Sequence, residues 1–217
     1  GGNSNSIDCG TNNRGVTNAV SVCAWVRTSE LTNGQWIAGK YDGLTGMTDH
    51  GYILAIGNLI GGNIGQVTFD GRDGNSIYHT SGFSAKKVND DKWHCVVGTA
   101  GNNQWAVYVD GSNPVNGNVM PGSSANLLTS NPFTIGKQSD SALPPLWMNG
   151  SIDNVLVYNR VLTPQEIECF CKGAIPSACE CGTASLLSFG GFGTSLPATC
   201  GNTTPVVLPC LPAGDKF

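Results

Sequence analysis

The sequence predicts an all-β domain, built as a two-sheet antiparallel sandwich or jelly roll. Short segments rich in β-branched and aromatic residues recur along the chain, and clusters of glycine and asparagine separate them. Glycine accounts for 30 of the 217 residues, whereas charged residues make up only 12%. Such a composition is rich in tight turns, and evenly spaced short strands are typical of two-layered antiparallel folds.

Period-2 alternation and turn signals place the strands in chain order. The predicted strands cover residues 6–10, 16–27, 35–41, 52–56, 65–69, 76–79, 92–99, 104–109, 132–137 and 152–158. Between them we expect a polar loop at 42–51, an acidic turn at 70–75, a loop that contains Lys86 and Lys87, and a Gly/Ser/Asn/Pro-rich loop at 111–131.

The last predicted strand leads into a short C-terminal helix. Alternation puts Asp153 on the same face as Val155 and Val157, so a buried carboxylate there would need several hydrogen bonds or a cation. Thr163 is a good N-cap, and Pro164 suits the first helical position. Glu166 lies three residues after the cap, as a capping box requires.

The cysteine content and the composition of the chain distinguish a tail, residues 173–217, from residues 1–172. The chain has nine cysteines without a Cys-x-x-Cys pair, which indicates an oxidising compartment, and we expect secretion with any signal peptide already removed. Because nine is odd, either one thiol is free or one bridge reaches another chain. The tail is rich in Gly, Pro and Cys and is predicted to be an irregular appendage rather than a second domain.

Composition excludes two classes of partner. The net charge of -4 offers no basic surface for nucleic acid, and no apolar run is long enough to cross a bilayer.

Four ordered segments resemble laminin-G-like domains of the concanavalin A-like lectin/glucanase superfamily, in their bacterial and pentraxin-related branch. The resemblance covers about residues 5–172. Its four segments are Gly-Ser-Ile-Asp-Asn-Val-Leu-Val-Tyr-Asn-Arg-Val-Leu-Thr-Pro-Gln-Glu-Ile (150–167), Val-Ser-Val-Cys-Ala-Trp-Val (20–26), Lys-Trp-His-Cys-Val-Val-Gly-Thr (92–99) and Ala-Val-Tyr-Val-Asp-Gly (106–111). The resemblance implies a concanavalin A-like jelly roll that recognises cell-surface or matrix polymers, commonly glycans and often with calcium.

Glucan-cleaving members of this superfamily use two strand-borne glutamates about 5 Å apart. None of the four glutamates here lies on a predicted strand; they are Glu30, Glu166, Glu168 and Glu180. A lyase site built from histidines stays open in principle, with His50, His79 or His94 as its members. His94 occupies a framework position of the family and is better interpreted as a hydrogen-bonded strand residue. We therefore expect no enzyme.

Calcium is the metal that the polar loops favour, because it binds carboxylate and carbonyl oxygens. Asp8 and Asp153 match framework positions of the family, on first and last strands that should lie side by side. The alternative is that they are hydrogen-bonded carboxylates. Rim sites could use further pairs of aspartates: Asp42 with Asp49, and Asp70 with Asp73. For Asp70, Asp73 and Asp110 a turn role is the favoured alternative.

Sugar recognition would need exposed aromatic rings beside hydrogen-bonding groups. The candidates are Tyr41, Tyr78, Trp105 and Trp147, although core packing is the commoner role for any single one of them. Trp25 and Trp93 match core positions of the family, so we expect them to be packing residues.

All nine cysteines are disulfide candidates: Cys9, Cys23, Cys95, Cys169, Cys171, Cys179, Cys181, Cys200 and Cys210. We expect Cys23 to pair with Cys95, and Cys9 with Cys169 or Cys171, because the first and last strands of such sandwiches adjoin. A zinc site at the two Cys-x-Cys pairs is the weaker alternative.

These observations predict a secreted, non-catalytic recognition module, calcium-stabilised, whose partner is a glycan or a matrix or cell-surface polymer. The alternative is a structural subunit of an extracellular polymer. In that case the Cys-rich tail would contact neighbouring copies, and the odd cysteine and an outward-facing Leu156 would belong to the contact. A polysaccharide-active enzyme is the third and most distant alternative.

Overall fold

The computed structural model describes residues 5–41, 50–57, 63–101, 104–111, 114–116, 126–139 and 146–173, together with the backbone of two tail strands. The strands are β1 Ile7–Asp8, β2 Val20–Arg27, β3 Gln35–Tyr41, β4 Gly51–Ile56, β5 Gln66–Arg72, β6 Tyr78–Lys87, β7 His94–Gly101, β8 Gln104–Val109, β9 Val115–Asn116, β10 Thr134–Ile135, β11 Ser151–Tyr158, β12 Leu186–Phe189 and β13 Val206–Leu208. The helix, α1, is Pro164–Cys171.

The strands form two sheets that pack face to face. The front sheet has the order β1-β10-β3-β4-β5-β6, and the back sheet has the order β13-β12-β11-β2-β7-β8-β9. Every pair is antiparallel except β12 with β13. The predicted two-sheet antiparallel sandwich is therefore confirmed. The tail, predicted to be irregular, adds two short strands to the edge of the back sheet.

The core lies between the two sheets, and smaller clusters cover their outer faces. Val22, Phe69 and Val107 belong to the central cluster. The outer face of the back sheet carries a second cluster, which includes residues of α1: Cys23, Cys95, Val97, Ala106, Tyr108, Tyr158, Leu162, Ile167 and Phe170. A third cluster lies on the outer face of the front sheet and consists of Trp36, Tyr41, Ile53 and Ala55, with Leu146 packed against it.

The helix begins as predicted. The Thr163 side chain accepts a hydrogen bond from the Glu166 N–H, and the Glu166 carboxylate accepts one from the Thr163 N–H, so the capping box is complete. Glu166 also binds both Nη atoms of Arg160. Burial favours the neutral acid, but these hydrogen bonds hold the pKa of Glu166 below its usual value.

A bulge in β11 changes the predicted faces of this strand. The register with β2 shifts between Asp153 and Leu156, and Asn154 has a φ of 50°. The extra residue turns Asp153 outward while Val155 and Val157 still point into the core. The prediction that Asp153 is buried is therefore wrong. Leu156 packs against the second cluster, beside α1, instead of facing solvent.

Strand β6 is longer than predicted. It runs through Lys86 and Lys87, which we expected in a loop. Its pairing with β5 shifts register twice, and Gly82 has a φ of 73°. These irregularities break the period-2 alternation by which the sequence would reveal the strand.

The predicted disulfide pairs are wrong, because α1 is joined to β7 and β1 adjoins β10 rather than β11. Cys95 is bonded to Cys171 of α1. Cys23 pairs in register with Val97 rather than with Cys95, so the two thiols are diagonal neighbours, too far apart for a disulfide. Strand β1 pairs with β10 and not with β11, which removes the argument for joining Cys9 to the end of the domain.

Cys23 is a free, fully buried thiol. Cys169 is also disulfide-bonded. The remaining cysteine predictions lie outside the described residues: Cys179, Cys181, Cys200 and Cys210. The division at residues 172 and 173 stays a prediction.

Candidate functional site

The candidate site lies on the outer face of the front sheet, where strand pairing brings polar and aromatic residues side by side. Tyr41 pairs with Gly51, Gly51 with Arg72, and Arg72 with Tyr78. Directly opposed residues of antiparallel strands share a face, so these residues form a row across β3, β4, β5 and β6. Asp70 belongs to the next row, on the same side of β5 as Arg72.

Glycine leaves the middle of this row without a side chain. A Cβ at Gly51 would lie 1.9 Å from the carbonyl oxygen of Lys40, so no larger residue fits there. Because neighbouring strands are about 4.8 Å apart, the Cα atoms of Tyr41 and Arg72 are about 10 Å apart.

Asp70 is a buried carboxylate held by hydroxyl groups. Its side chain accepts a hydrogen bond from Thr68 Oγ1 at 2.6 Å and is also bonded to the hydroxyls of Thr80 and Tyr78. Burial raises the pKa of Asp70, against the effect of these hydrogen bonds. Asp70 is 9% exposed and lies within β5, so the turn role that the sequence favours for it is wrong.

Tyr78 and Arg72 form the accessible part of the site. Tyr78 is 46% exposed, and the Arg72 guanidinium carbon lies 5.7 Å from the centroid of its ring. Burial and the neighbouring Asp70 raise the pKa of Tyr78, so its phenol stays protonated. Arg72 Nη1 donates to the carbonyl of Ser76 at 2.7 Å. The sequence prediction did not include Arg72, because only the strand register shows that it adjoins Tyr78.

The other predicted sugar-binding rings are less accessible. Trp105 is 5% exposed in the core, between Phe69 at 5.3 Å and the stacked ring of His79 at 5.6 Å, so no ring face is left for a sugar. Tyr41 is buried in the third cluster. Trp147 is half-buried, and Lys137 Nζ lies 5.0 Å from its ring centroid.

Asp73 completes the turn between β5 and β6. Its Oδ1 accepts hydrogen bonds from the N–H groups of Asn75 at 2.8 Å and Ile77 at 3.1 Å, and its Oδ2 lies 3.2 Å from His79 Nε2. Burial opposes ionisation, but these contacts hold the pKa of Asp73 below its usual value. This geometry fits the turn role that the sequence favours for Asp73.

The predicted pairing of Asp8 with Asp153 is wrong, because their strands belong to different sheets. Both side chains are exposed, and each accepts a local backbone N–H, from Gly10 at 2.8 Å and from Asn154 at 2.7 Å. Among the described residues, no group of three or more His, Cys, Asp or Glu side chains is arranged to hold a metal ion. Asp42 and Asp49 lie outside the described residues.

His94 is the hydrogen-bonded strand residue that the sequence predicts. Its ring nitrogens lie 2.8 Å from Asp110 Oδ2 and 2.8 Å from Asp90 Oδ1. The neighbouring Trp93 is 44% exposed, so its predicted role in the core is wrong. Trp93 immediately precedes β7, where a side chain can point away from both clusters.

Three of the four glutamates lie off the strands, as predicted. Glu30 follows β2, Glu166 and Glu168 are on α1, and Glu180 is outside the described residues. Hydrogen bonds to Thr32, Asn149 and the backbone lower the pKa of Glu30 to about 2. In the part of the chain that is described, no helix is long and apolar enough to cross a membrane.

This architecture is shared by a large group of lectin-like domains. The chain belongs to the laminin G family of the concanavalin A-like lectin/glucanases superfamily. The sequence model of this family matches residues 1–168. The sequence resemblance is thereby confirmed. No curated protein sequence matches the chain significantly.

Solved structures of similar fold include binding modules. One is the carbohydrate-binding module CBM40 of the Ruminococcus gnavus IT-sialidase bound to α2,3-sialyllactose, with 16% identity, a TM-score of 0.54, and coverage of 72% of this chain and 84% of that one. A heptameric SAP-like pentraxin from Limulus polyphemus has 16% identity, a TM-score of 0.52, and coverage of 76% and 80%. Mouse laminin α1 domains LG4–5 have 14% identity, a TM-score of 0.53, and coverage of 73% and 40%. At these identities the similarity concerns the fold.

Proposed function

We propose that this chain is a secreted, non-catalytic recognition module that binds glycans on the outer face of its front sheet. The observation that carries the proposal is the half-exposed Tyr78 ring, next to the guanidinium of Arg72 and the buried carboxylate of Asp70. An aromatic ring can pack on the apolar face of a sugar, while convergent polar groups bind its hydroxyls. A fold neighbour that carries sialyllactose supports a glycan as the ligand.

Binding rather than cleavage fits the placement of the acidic residues. Glu166 is engaged by Arg160 and the helix N-terminus, and Glu168 pairs with Lys172 at 2.6 Å, so neither is available to attack a sugar. The hydrogen-bond partners of Asp70 in the described structure are hydroxyl groups, and none of them is a second carboxylate. Hydrolysis with retention or inversion needs two carboxyl groups across one bond.

Secretion is supported by the Cys95–Cys171 disulfide, which joins the helix to the back sheet. Disulfides persist in oxidising compartments and are rare in the cytosol.

A glycan array with the full chain tests the proposal. We expect the wild type to bind at least one glycan and Tyr78→Ala to lose about tenfold or more in affinity, which corresponds to about 1.4 kcal/mol. Trp93→Ala is the matched control, because it removes an equally exposed ring outside the site. A blank array with and without calcium, or equal losses in the two variants, would contradict the proposal.

Calcium stabilisation is a separate proposal with less support. Asp70 and Asp73 already accept several hydrogen bonds, which occupy the oxygen lone pairs that a cation would need. Thermal unfolding with excess calcium and with chelator tests it: a rise in the midpoint with calcium would support a bound ion, and identical midpoints would refute it.

The polymer alternative has lost part of its support. Leu156, which we expected to face outward, packs against the second cluster, beside α1. What still favours it is that a tail strand, β12, pairs with β11 at the edge of the back sheet, where an equivalent strand of another copy could pair. Electrophoresis without reductant that shows only monomers would count against it.

A further inference from the structure

Asn149 stands in the sequence pattern that N-linked glycosylation requires. Asn149-Gly150-Ser151 is one of two Asn-x-Ser/Thr sites in the chain, and the other, at Asn202, lies outside the described residues. The pattern needs a hydroxyl residue at its third position and excludes proline from the second. Because short patterns also arise by chance, the structure around Asn149 decides whether a glycan fits there.

The structure places Asn149 on the surface, in the connection that leads into β11. Asn149 and Gly150 are both exposed, and Ser151 is the first residue of the strand. The main chain of Asn149 is fixed, because its N–H donates to Gln35 Oε1 at 2.8 Å and its carbonyl accepts from the Thr28 hydroxyl at 2.6 Å. The asparagine is therefore presented at a defined point of the surface, where a bulky hydrated group can extend into solvent.

The side-chain amide of Asn149 can carry a sugar without losing its hydrogen bond. One N–H of Nδ2 donates to Glu30 Oε2 at 2.8 Å, and the other has no partner in the described part of the chain. Attachment of a sugar replaces one of the two hydrogens, and the resulting secondary amide keeps one donor for Glu30. A glycan at Asn149 therefore breaks no hydrogen bond of the described residues.

A glycan at Asn149 would also leave the proposed binding face free. Asn149 is bonded to Gln35, the first residue of β3, whereas Tyr41, the last residue of that strand, belongs to the row that contains Tyr78. Strand β3 has seven residues, so its two ends are about 20 Å apart. The modification and the binding face thus lie at opposite ends of the front sheet.

We infer that Asn149 is a modification site and carries an N-linked glycan. The reaction forms a bond between Nδ2 and the anomeric carbon of a sugar supplied by a lipid-linked glycosyl diphosphate. The bond from that carbon to the phosphate oxygen breaks, and the lipid diphosphate leaves as Nδ2 loses one proton. The inference rests on the secretion stated in the proposed function, because the transfer accompanies export, and it is independent of the ligand that the front sheet binds.

Peptide mass spectrometry of the full chain tests the inference, on protein prepared separately from the secreted and the cellular fractions of its source. Trypsin cuts after Lys137 and Arg160, so Asn149 and Asn202 fall in different peptides. Enzymatic removal of an N-linked glycan in heavy-oxygen water converts the modified asparagine into a labelled aspartate. Asn33 is the internal control, because it is also exposed and followed by glycine but lacks the hydroxyl residue. Label at Asn33 would measure spontaneous deamidation.

We expect the label at Asn149 in most secreted molecules and at Asn33 in almost none. Ser151→Ala should abolish the modification while leaving Asn149 and Glu30 in place, and Ser151→Thr should retain it. Secreted protein with no more label at Asn149 than at Asn33, or label that persists in Ser151→Ala, would overturn the inference and leave the proposed function intact. A chain found only in the cellular fraction would overturn both the inference and the secretion on which it rests.

Discussion

Removing the Cys95–Cys171 disulfide should weaken the fold by a predictable amount. The bond closes a segment with a sequence separation of 76 residues. Loop-closure entropy for a loop of this length gives a stabilisation of about 4.5 kcal/mol, because the reduced chain has more unfolded conformations. The double variant Cys95→Ala/Cys171→Ala removes the bond without leaving a reactive thiol behind. Both residues belong to or pack against the second hydrophobic cluster, on the outer face of the back sheet, so a small loss of packing energy adds to this value.

Urea unfolding followed by circular dichroism measures the change. With an m-value of about 2 to 3 kcal/mol per molar, the midpoint should fall by about 1.5 to 2 M. Cys23→Ala is the control, since it removes a buried thiol that forms no disulfide, and it should cost about 1 kcal/mol. A double variant whose midpoint matches that of Cys23→Ala would refute the entropic account of how the helix is fixed to β7.

Three further predictions concern buried polar groups. Because the folded pKa of Asp73 is below its usual value, the stability that this carboxylate contributes is present above about pH 4 and is lost on further acidification. When the pH is lowered from about 6 to about 3, the urea midpoint should therefore fall less steeply in Asp73→Asn than in the wild type. Glu166→Ala should cost about 2 kcal/mol in urea unfolding, because it removes the capping box and leaves Arg160 without its carboxylate, whereas the exposed Glu168→Ala should cost less than about 0.5 kcal/mol. Cys23 should react with a thiol reagent only after unfolding, because it is fully buried and burial raises the pKa of its thiol; rapid reaction of the native protein would contradict this placement.

Local signals in the sequence were enough to predict some elements of the fold. The capping box depends on residues three positions apart, so Thr163 and Glu166 are sufficient to predict where α1 begins. Strands β3 and β8 match their predicted bounds. The family resemblance supplied the two-sheet arrangement that these local signals do not contain.

The features that could not be predicted depend on backbone irregularities or on contacts distant in sequence. The bulge at Asn154 needs a positive φ, which asparagine tolerates but which its presence in the sequence does not predict. The bulge moves the Asp153 side chain to the opposite face of β11. The Cys95–Cys171 bond depends on where α1 lies against the back sheet. Likewise, the proximity of Arg72 to Tyr78 follows from the register of β5 with β6, which composition does not reveal.

The most direct test of the central claim is to map the contact surface of a bound glycan by nuclear magnetic resonance. The isotope-labelled full chain would be titrated with the tightest glycan from the array, and the amide shift changes would be compared along the sequence. Our account predicts the largest changes at Arg72, Tyr78 and Thr80, on the outer face of the front sheet. Changes centred on Trp93 or on α1 instead, or no change at any amide, would contradict it.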